Sequence, residues 1–223
     1  MLLLALAGAC TNSSTPKPET VLQESGQAMA KVKSVSADIA FGPGLSFQGF
    51  TLSSATSKIQ VPGDSDTVIK VKQQDFLVDV EVITSGGHVW IKVPFGRFTE
   101  VTPDEAAQLP SIGGLFDAQH GLPALLPQGQ SPAADGSEQM GGVDCDRVKT
   151  TYTADQVGQA LGGLKPASDI QARLWVGHDD HLLRRVVLTG QLTSAGAASS
   201  VDVHLHDFNQ PVSIATPGGA TGG

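Results

Sequence analysis

The sequence predicts an α+β domain built on an antiparallel sheet with one apolar face, and three observations support this. The first is Asp75–Phe98, DFLVDVEVITSGGHVWIKVPFGRF. Phe76, Val78, Val80 and Val82 alternate with Asp79 and Glu81, the period of two that gives a strand one dry and one wet face. Thr84-Ser-Gly-Gly87 then reads as a hairpin turn, and Val89, Ile91 and Val93 alternate with His88, Trp90 and Lys92 on the way back. The second observation is that the later half of the chain repeats such runs. The third is a helix near the start and an apolar, Gly/Pro-interrupted stretch in the middle. Either could cover a dry sheet face, which an antiparallel sheet requires.

The first ten residues, MLLLALAGAC, are too short an apolar run to span a bilayer, which takes about 20 residues. They fit the end of a secretory signal, and Ala7-Gly8-Ala9-Cys10 is similar to a lipobox, making Cys10 the expected lipidation site. Residues 11–18, rich in Ser, Thr and Pro, read as a flexible tether. A single folded domain is expected over 19–215, and the Gly-rich residues 216–223 as a disordered tail.

Within the domain, Thr20 and Gln23 match a capping box for a helix over Thr20–Lys33, with Val21, Leu22, Ala28, Met29 and Val32 as its apolar stripe. Strands follow at Val35–Phe41, Phe50–Val61 and Thr67–Lys72, the last leading into the Asp75–Phe98 hairpin. Thr102-Pro-Asp-Glu has the cap, first-turn proline and first-turn acids of a short helix. Leu109–Gly136 is apolar but broken by glycines and prolines, so short helices and loops lying over the sheet are expected there. Cys145–Tyr152 reads as a strand and Thr153–Leu161 as a capped helix ended by Gly162-Gly163. Strands at Ile170–Val176, Leu182–Leu192 and Val201–His206 follow, with Pro211–Ile214 as a possible edge.

Composition excludes several functions. The net charge is −8, and no basic run exceeds Arg184-Arg185, so neither nucleic acid nor a polybasic grip on anionic lipid is expected. The chain contains no G-x-S-x-G, H-E-x-x-H or G-x-G-x-x-G. His178-Asp-Asp-His181 and Asp202-x-His204-x-His206 have the donor types of a metal site, but the first is a polar turn and the second the wet face of a strand. Both read as solvated surface. Cys145 reads as a small packed side chain without a general base in its local sequence. No catalysis, metal or cofactor is expected.

The lipobox-like Cys10, the tether and the helix ending near Val32-Lys-Ser-Val35 resemble the LppX/LprG/LprA/LprF lipoproteins of mycobacteria and related actinobacteria. The strands from Val89-Trp90 to Phe98, Pro103-Asp followed by Gly121-Leu122, Ala172-Arg-Leu-Trp-Val176, and Val201-Asp-Val-His-Leu with Pro211-Val are similar too. The resemblance spans about 19–215. It implies a curved antiparallel half-barrel with helices on its concave face, enclosing an apolar cavity for the acyl chains of lipids or lipoglycans. It also implies a lipid-anchored protein on the extracytoplasmic face of the cell membrane, with an envelope transporter as a possible partner.

Such a wall needs aliphatic side chains without charge. On the first strands these are Ile69, Val71, Phe76, Val78, Val80, Val82, Val89 and Ile91. Later strands offer Leu174, Val186, Leu188 and Val203, and the broken segment offers Leu115, Phe116, Leu122 and Leu125. A filled core has the same composition, so an envelope lipoprotein acting through protein contacts is the alternative.

Overall fold

The chain starts its sheet in the middle. In the computed structural model, which describes residues 16–47, 49–74, 76–106, 109, 112–161, 166–193 and 197–218, strand β1 (Ser34–Phe41) lies between β3 (Phe50–Gln60) and the last strand, β12 (Ser199–His206). From β3 the chain meanders outward through β4 (Asp64–Gln73), β5 (Phe76–Ser85), β6 (His88–Lys92) and β7 (Thr99–Glu100), with β2 (Ser46–Phe47) paired to β3 alone. It re-enters the sheet at the opposite edge, at β8 (Gln130–Met140). From there it meanders back through β9 (Val143–Tyr152), β10 (Ile170–Gly177) and β11 (Leu183–Gly190) to β12. All pairings are antiparallel, and β7 and β8 are the two edges of an open half-barrel.

This topology determines the course of the broken segment. Between β7 at one edge and β8 at the other, the chain must cross a face of the sheet. It does so through α2 (Pro103–Ala106), a 3-10 turn at Gly113–Phe116, α3 (Leu122–Leu125) and a second 3-10 turn at Leu126–Gln128. The first helix, α1 (Pro18–Met29), packs against α3 and the second 3-10 turn, and α4 (Ala154–Leu161) meets α3 and the first. Val21, Leu22 and Met29 of α1, Phe116, Leu125 and Leu126 of the crossing segment, and Val157 of α4 share one core with sheet residues such as Val35, Ile59, Val148 and Leu174.

Two of the expected caps form. Thr102 and Glu105 make a capping box at α2, with the Glu105 carboxylate accepting from the Thr102 backbone N–H at 2.9 Å. Thr153 and Gln156 make another at α4. The expected Thr20 cap does not: α1 starts earlier, with Lys17 at the N-cap position and Pro18 at the first helical position. Proline has no N–H to leave unsatisfied there, and its fixed φ suits the helix, so no side-chain cap is required. The helix also ends at Met29, four residues before the expected Lys33.

Two further expectations need correction. Residues 130–140, placed in the loop segment up to Gly136, form an eleven-residue strand. Pro132 and Gly136 are tolerated because β8 is an edge strand, and both fall where its register against β9 shifts. Pro211–Ile214 forms no strand; the chain there is tied through its preceding turn, where the Asn209 side chain accepts from the Lys33 N–H at 2.8 Å. The segment 112–128 is also packed more tightly than its glycines and prolines suggest. Gly26 of α1 lies where a β-carbon would stand 2.7 Å from the Pro123 carbonyl oxygen and 3.0 Å from Pro127 Cγ. Here glycine and proline allow close approach. They do not loosen the cover.

Candidate functional site

The pairing register aligns apolar side chains in rows across the helix-facing side of the sheet. One row runs Val80, Ile69, Ala55, Ile39, Val203, Val186, Leu174 and Val148, from β5 to β9. The next begins Ile91, Val82, Thr67, Ser57, Ala37 and Leu205. Its two hydroxyls are buried and bond to each other at 2.8 Å, so the row stays free of unpaired polar groups.

Helical cover divides these rows into two zones. Leu174, Val186, Leu188, Phe116 and Leu125 are buried in the core, with Ile69, Val203, Leu115 and Leu122 packed at its margin. Among the described residues the core cluster stops short of β5 and β6. Val78, Val80, Val82, Val89 and Ile91 continue the core's rows but are half-buried and lie outside its cluster, while Val71 is buried beside them. Phe76 has the same parity but is exposed to solvent. The proposed wall residues therefore fall into a filled half and an open half. A concavity of about 630 Å³ opens on the other side of these strands, lined by alternating residues including Lys70, Leu77, Asp79, Glu81 and Lys92. Cys10 lies outside the described residues.

The outer face of the sheet is polar but covers its own aromatics. Trp90, expected on the wet side, and Trp175 both point away from the core, yet they are only 7% and 3% exposed. The Arg185 guanidinium lies over the Trp175 ring at 4.6 Å and is held by Asp202 at 2.9 and 2.6 Å. Trp175 Nε1 donates to Glu138 at 2.8 Å, and that bond leads the causes holding the Glu138 carboxyl below its usual range. The His88 ring stacks on Trp90, 5.8 Å between centroids. Long polar side chains laid over indoles keep water off a face that alternation alone marks as exposed.

The histidines of the two candidate metal motifs point to separate partners. His178 bonds Asp146 at 3.0 Å, His181 faces Glu24 at 3.6 Å, and His206 bridges Asp38 and Asp207. Among the described residues no group of three or more His, Cys, Asp or Glu side chains could hold a metal ion. Cys145 is buried, and burial pushes its thiol pKa up, away from nucleophilic use.

His178 makes the fold pH-sensitive in a defined sense. Its bond to Asp146 raises its pKa above the ordinary 6.5. The stabilisation is therefore complete below 6.5 and is lost as pH rises through the folded-state value. Thermal melts should show His178→Gln removing a fall in stability across that range. Parallel pH profiles for the two proteins would contradict the assignment.

The comparisons with known proteins bear on this arrangement. The LppX_LprAFG lipoprotein family matches residues 17–214, nearly the whole described chain. The chain belongs to the LppX_LprAFG lipoprotein family. Curated relatives include the lipoarabinomannan carrier protein LprG of Mycolicibacterium smegmatis, 29% identical over 112 residues, covering 50% of this chain and 45% of the relative. The protein of that name from Mycobacteroides abscessus is 28% identical over 107 residues, covering 48% and 45%. The chain thus spans about half the length of the curated relatives it matches. Among solved structures, LprF from Mycobacterium bovis superposes with a TM-score of 0.73 at 21% identity, over 92% of this chain and all of that one. LppX from Mycobacterium tuberculosis gives 0.65 at 20% identity, over 91% of this chain and all of that one. Both share the family's open half-barrel. The match makes this chain an envelope lipoprotein of the LppX_LprAFG type, with relatives named as carriers.

Proposed function

We propose that this LppX_LprAFG lipoprotein binds the acyl chains of a lipid or lipoglycan on the helix-facing side of its sheet and carries or displays them, without catalysis. The observation behind this reading is the open half of that face. Val78, Val80, Val82, Val89 and Ile91 extend the core's apolar rows but stand half-buried outside its cluster among the described residues. An acyl chain laid there would leave water at a gain of about 0.8 kcal/mol per buried CH2. Transfer from a membrane to an equally apolar face is close to neutral, which permits both loading and release. The relatives named lipoarabinomannan carriers suggest a lipoglycan as ligand. Under this reading Cys10 carries the acyl anchor, the residues between it and α1 give the domain reach from the extracytoplasmic membrane face, and a transporter supplies or receives the lipid.

The filled half supports the alternative, a lipoprotein with a closed core that works through protein contacts, since Leu174, Val186 and Phe116 leave no room for a ligand there. Equilibrium uptake of a fluorescent fatty-acyl probe by the full chain separates the two. Saturable uptake with a blue-shifted probe supports carriage, and no uptake supports the closed core.

A further inference from the structure

Single exposed apolar side chains are ordinary on a protein surface, but their gathering in one place is not. Among the described residues the exposed large apolar side chains are Phe50, Phe76, Leu77, Val93 and Phe95. All five lie at one end of the first arm of the sheet. Phe50 opens β3 beside the β2–β3 hairpin, and Thr51 pairs with Lys72 near the end of β4. Phe76 and Leu77 open β5 across from Gln73 and Lys72. Val93 and Phe95 sit in the turn after β6, and Leu77, Val93 and Phe95 line one concavity. Phe76 is 72%, Leu77 61% and Phe95 106% exposed. Phe95 also holds a φ of +61°, a left-handed backbone that a bulky side chain rarely adopts, with its ring projecting into solvent.

Cations ring this end. Lys70 and Lys92 are paired with Asp79 at 2.9 Å and Glu81 at 3.2 Å. Lys72 and Arg97, both exposed, make no ion pair with another described residue. Asp75, between Gln74 and Phe76 in sequence, lies outside the described residues. Aromatic and aliphatic tips on separate turns, with basic side chains set just behind them, form a pattern suited to the headgroup boundary of a bilayer. A flat protein-binding patch would gather its apolar groups on one continuous face. The tip also continues inward, because Phe76 leads into the half-buried run Val78, Val80 and Val82.

We infer that this end of the half-barrel is a membrane-docking surface: Phe76, Leu77 and Phe95 enter the interface of an anionic bilayer, and Lys72 and Arg97 meet its headgroups. Docking there would place the open mouth of the apolar face against the membrane. The inference stands apart from the carrier reading, since a protein could dock this way and hold no lipid.

The test places an indole at the tip of the full chain through Phe95→Trp and another at the opposite hairpin through Ser85→Trp. The emission of Trp90 and Trp175 is read from the unsubstituted chain. Vesicles of phosphatidylcholine and phosphatidylglycerol are prepared with and without brominated acyl chains, and flotation confirms that the protein rides with them. The expected result is a blue shift and quenching by brominated chains for the Phe95→Trp indole, with neither for Ser85→Trp. Equal quenching at both ends, no quenching at the tip, or failure to float overturns the docking surface. So does a lipid-free dimer that Phe76→Ser with Phe95→Ser converts to monomer, which would assign the end to a second copy. Tip quenching together with no uptake of the acyl probe would overturn carriage and leave docking standing.

Discussion

Replacing Gly26 with valine should lower the stability of the domain by about 2–3 kcal/mol, the upper range for forcing extra atoms into a packed interior. For a domain of this size that corresponds to a fall of about 5–10 °C in Tm. The cause is local. Gly26 is buried on the stripe of α1 that also presents Val21, Leu22, Ser25 and Met29, and the crossing segment passes directly over it. A β-carbon there would stand 2.7 Å from a backbone oxygen, that of Pro123, and backbone cannot rotate aside as a side chain can. Alanine gives the sharper comparison. Within a helix it is favoured over glycine by about 1 kcal/mol, so Gly26→Ala would stabilise a free helix. The close contact reverses that sign. A melting temperature unchanged or raised by Gly26→Ala would show that the segment over α1 yields easily, and the tightly seated cover would have to be abandoned.

The second large effect concerns the open apolar face. Val80→Asp and Ile91→Asp each place a carboxylate in a row that the core does not cover. Both positions are half-exposed in the free protein, so the new charge stays hydrated and the fold should be nearly unaffected. An acyl chain laid across it would strip that water. Desolvating a carboxylate without a partner costs at least a few kcal/mol, so affinity for a fluorescent acyl probe should fall at least about tenfold for each substitution. Circular dichroism and melting would confirm that the fold survives. Leu174→Asp is the contrasting case: Leu174 is fully buried in the core, so that variant should lose the fold itself. Unchanged probe affinity in a folded Val80→Asp, Ile91→Asp double variant would exclude this face as the ligand surface.

Much of the fold was legible in the residues because alternation reports the parity of a strand directly. Phe76–Ser85 and His88–Lys92 form the expected hairpin, and Thr102–Glu105 and Thr153–Gln156 form their capping boxes. The resemblance to the lipoprotein family pointed to the half-barrel, which composition and spacing alone did not. Parity, however, does not report what lies above a face. Trp90 and Trp175 have outward parity and are still buried, because His88 and Arg185 reach across them. Phe76 has inward parity and is still in solvent, outside the core cluster. Strand β8 was hidden by Pro132 and Gly136, which mark a loop unless the segment is known to be an edge. The division of the wall residues into a filled and an open half depends on where the crossing segment settles between distant edges. That is a property of topology, and no local pattern in Leu109–Gly136 encodes it.

Native mass spectrometry of the full chain, released gently from the membranes of the cells that make it, tests the central claim most directly. Carriage predicts a population heavier than the protein and its anchor by the mass of an acylated lipid or lipoglycan, lost on organic extraction and depleted in the Val80→Asp, Ile91→Asp variant. A single species at the mass of the anchored protein, before and after extraction, would contradict it.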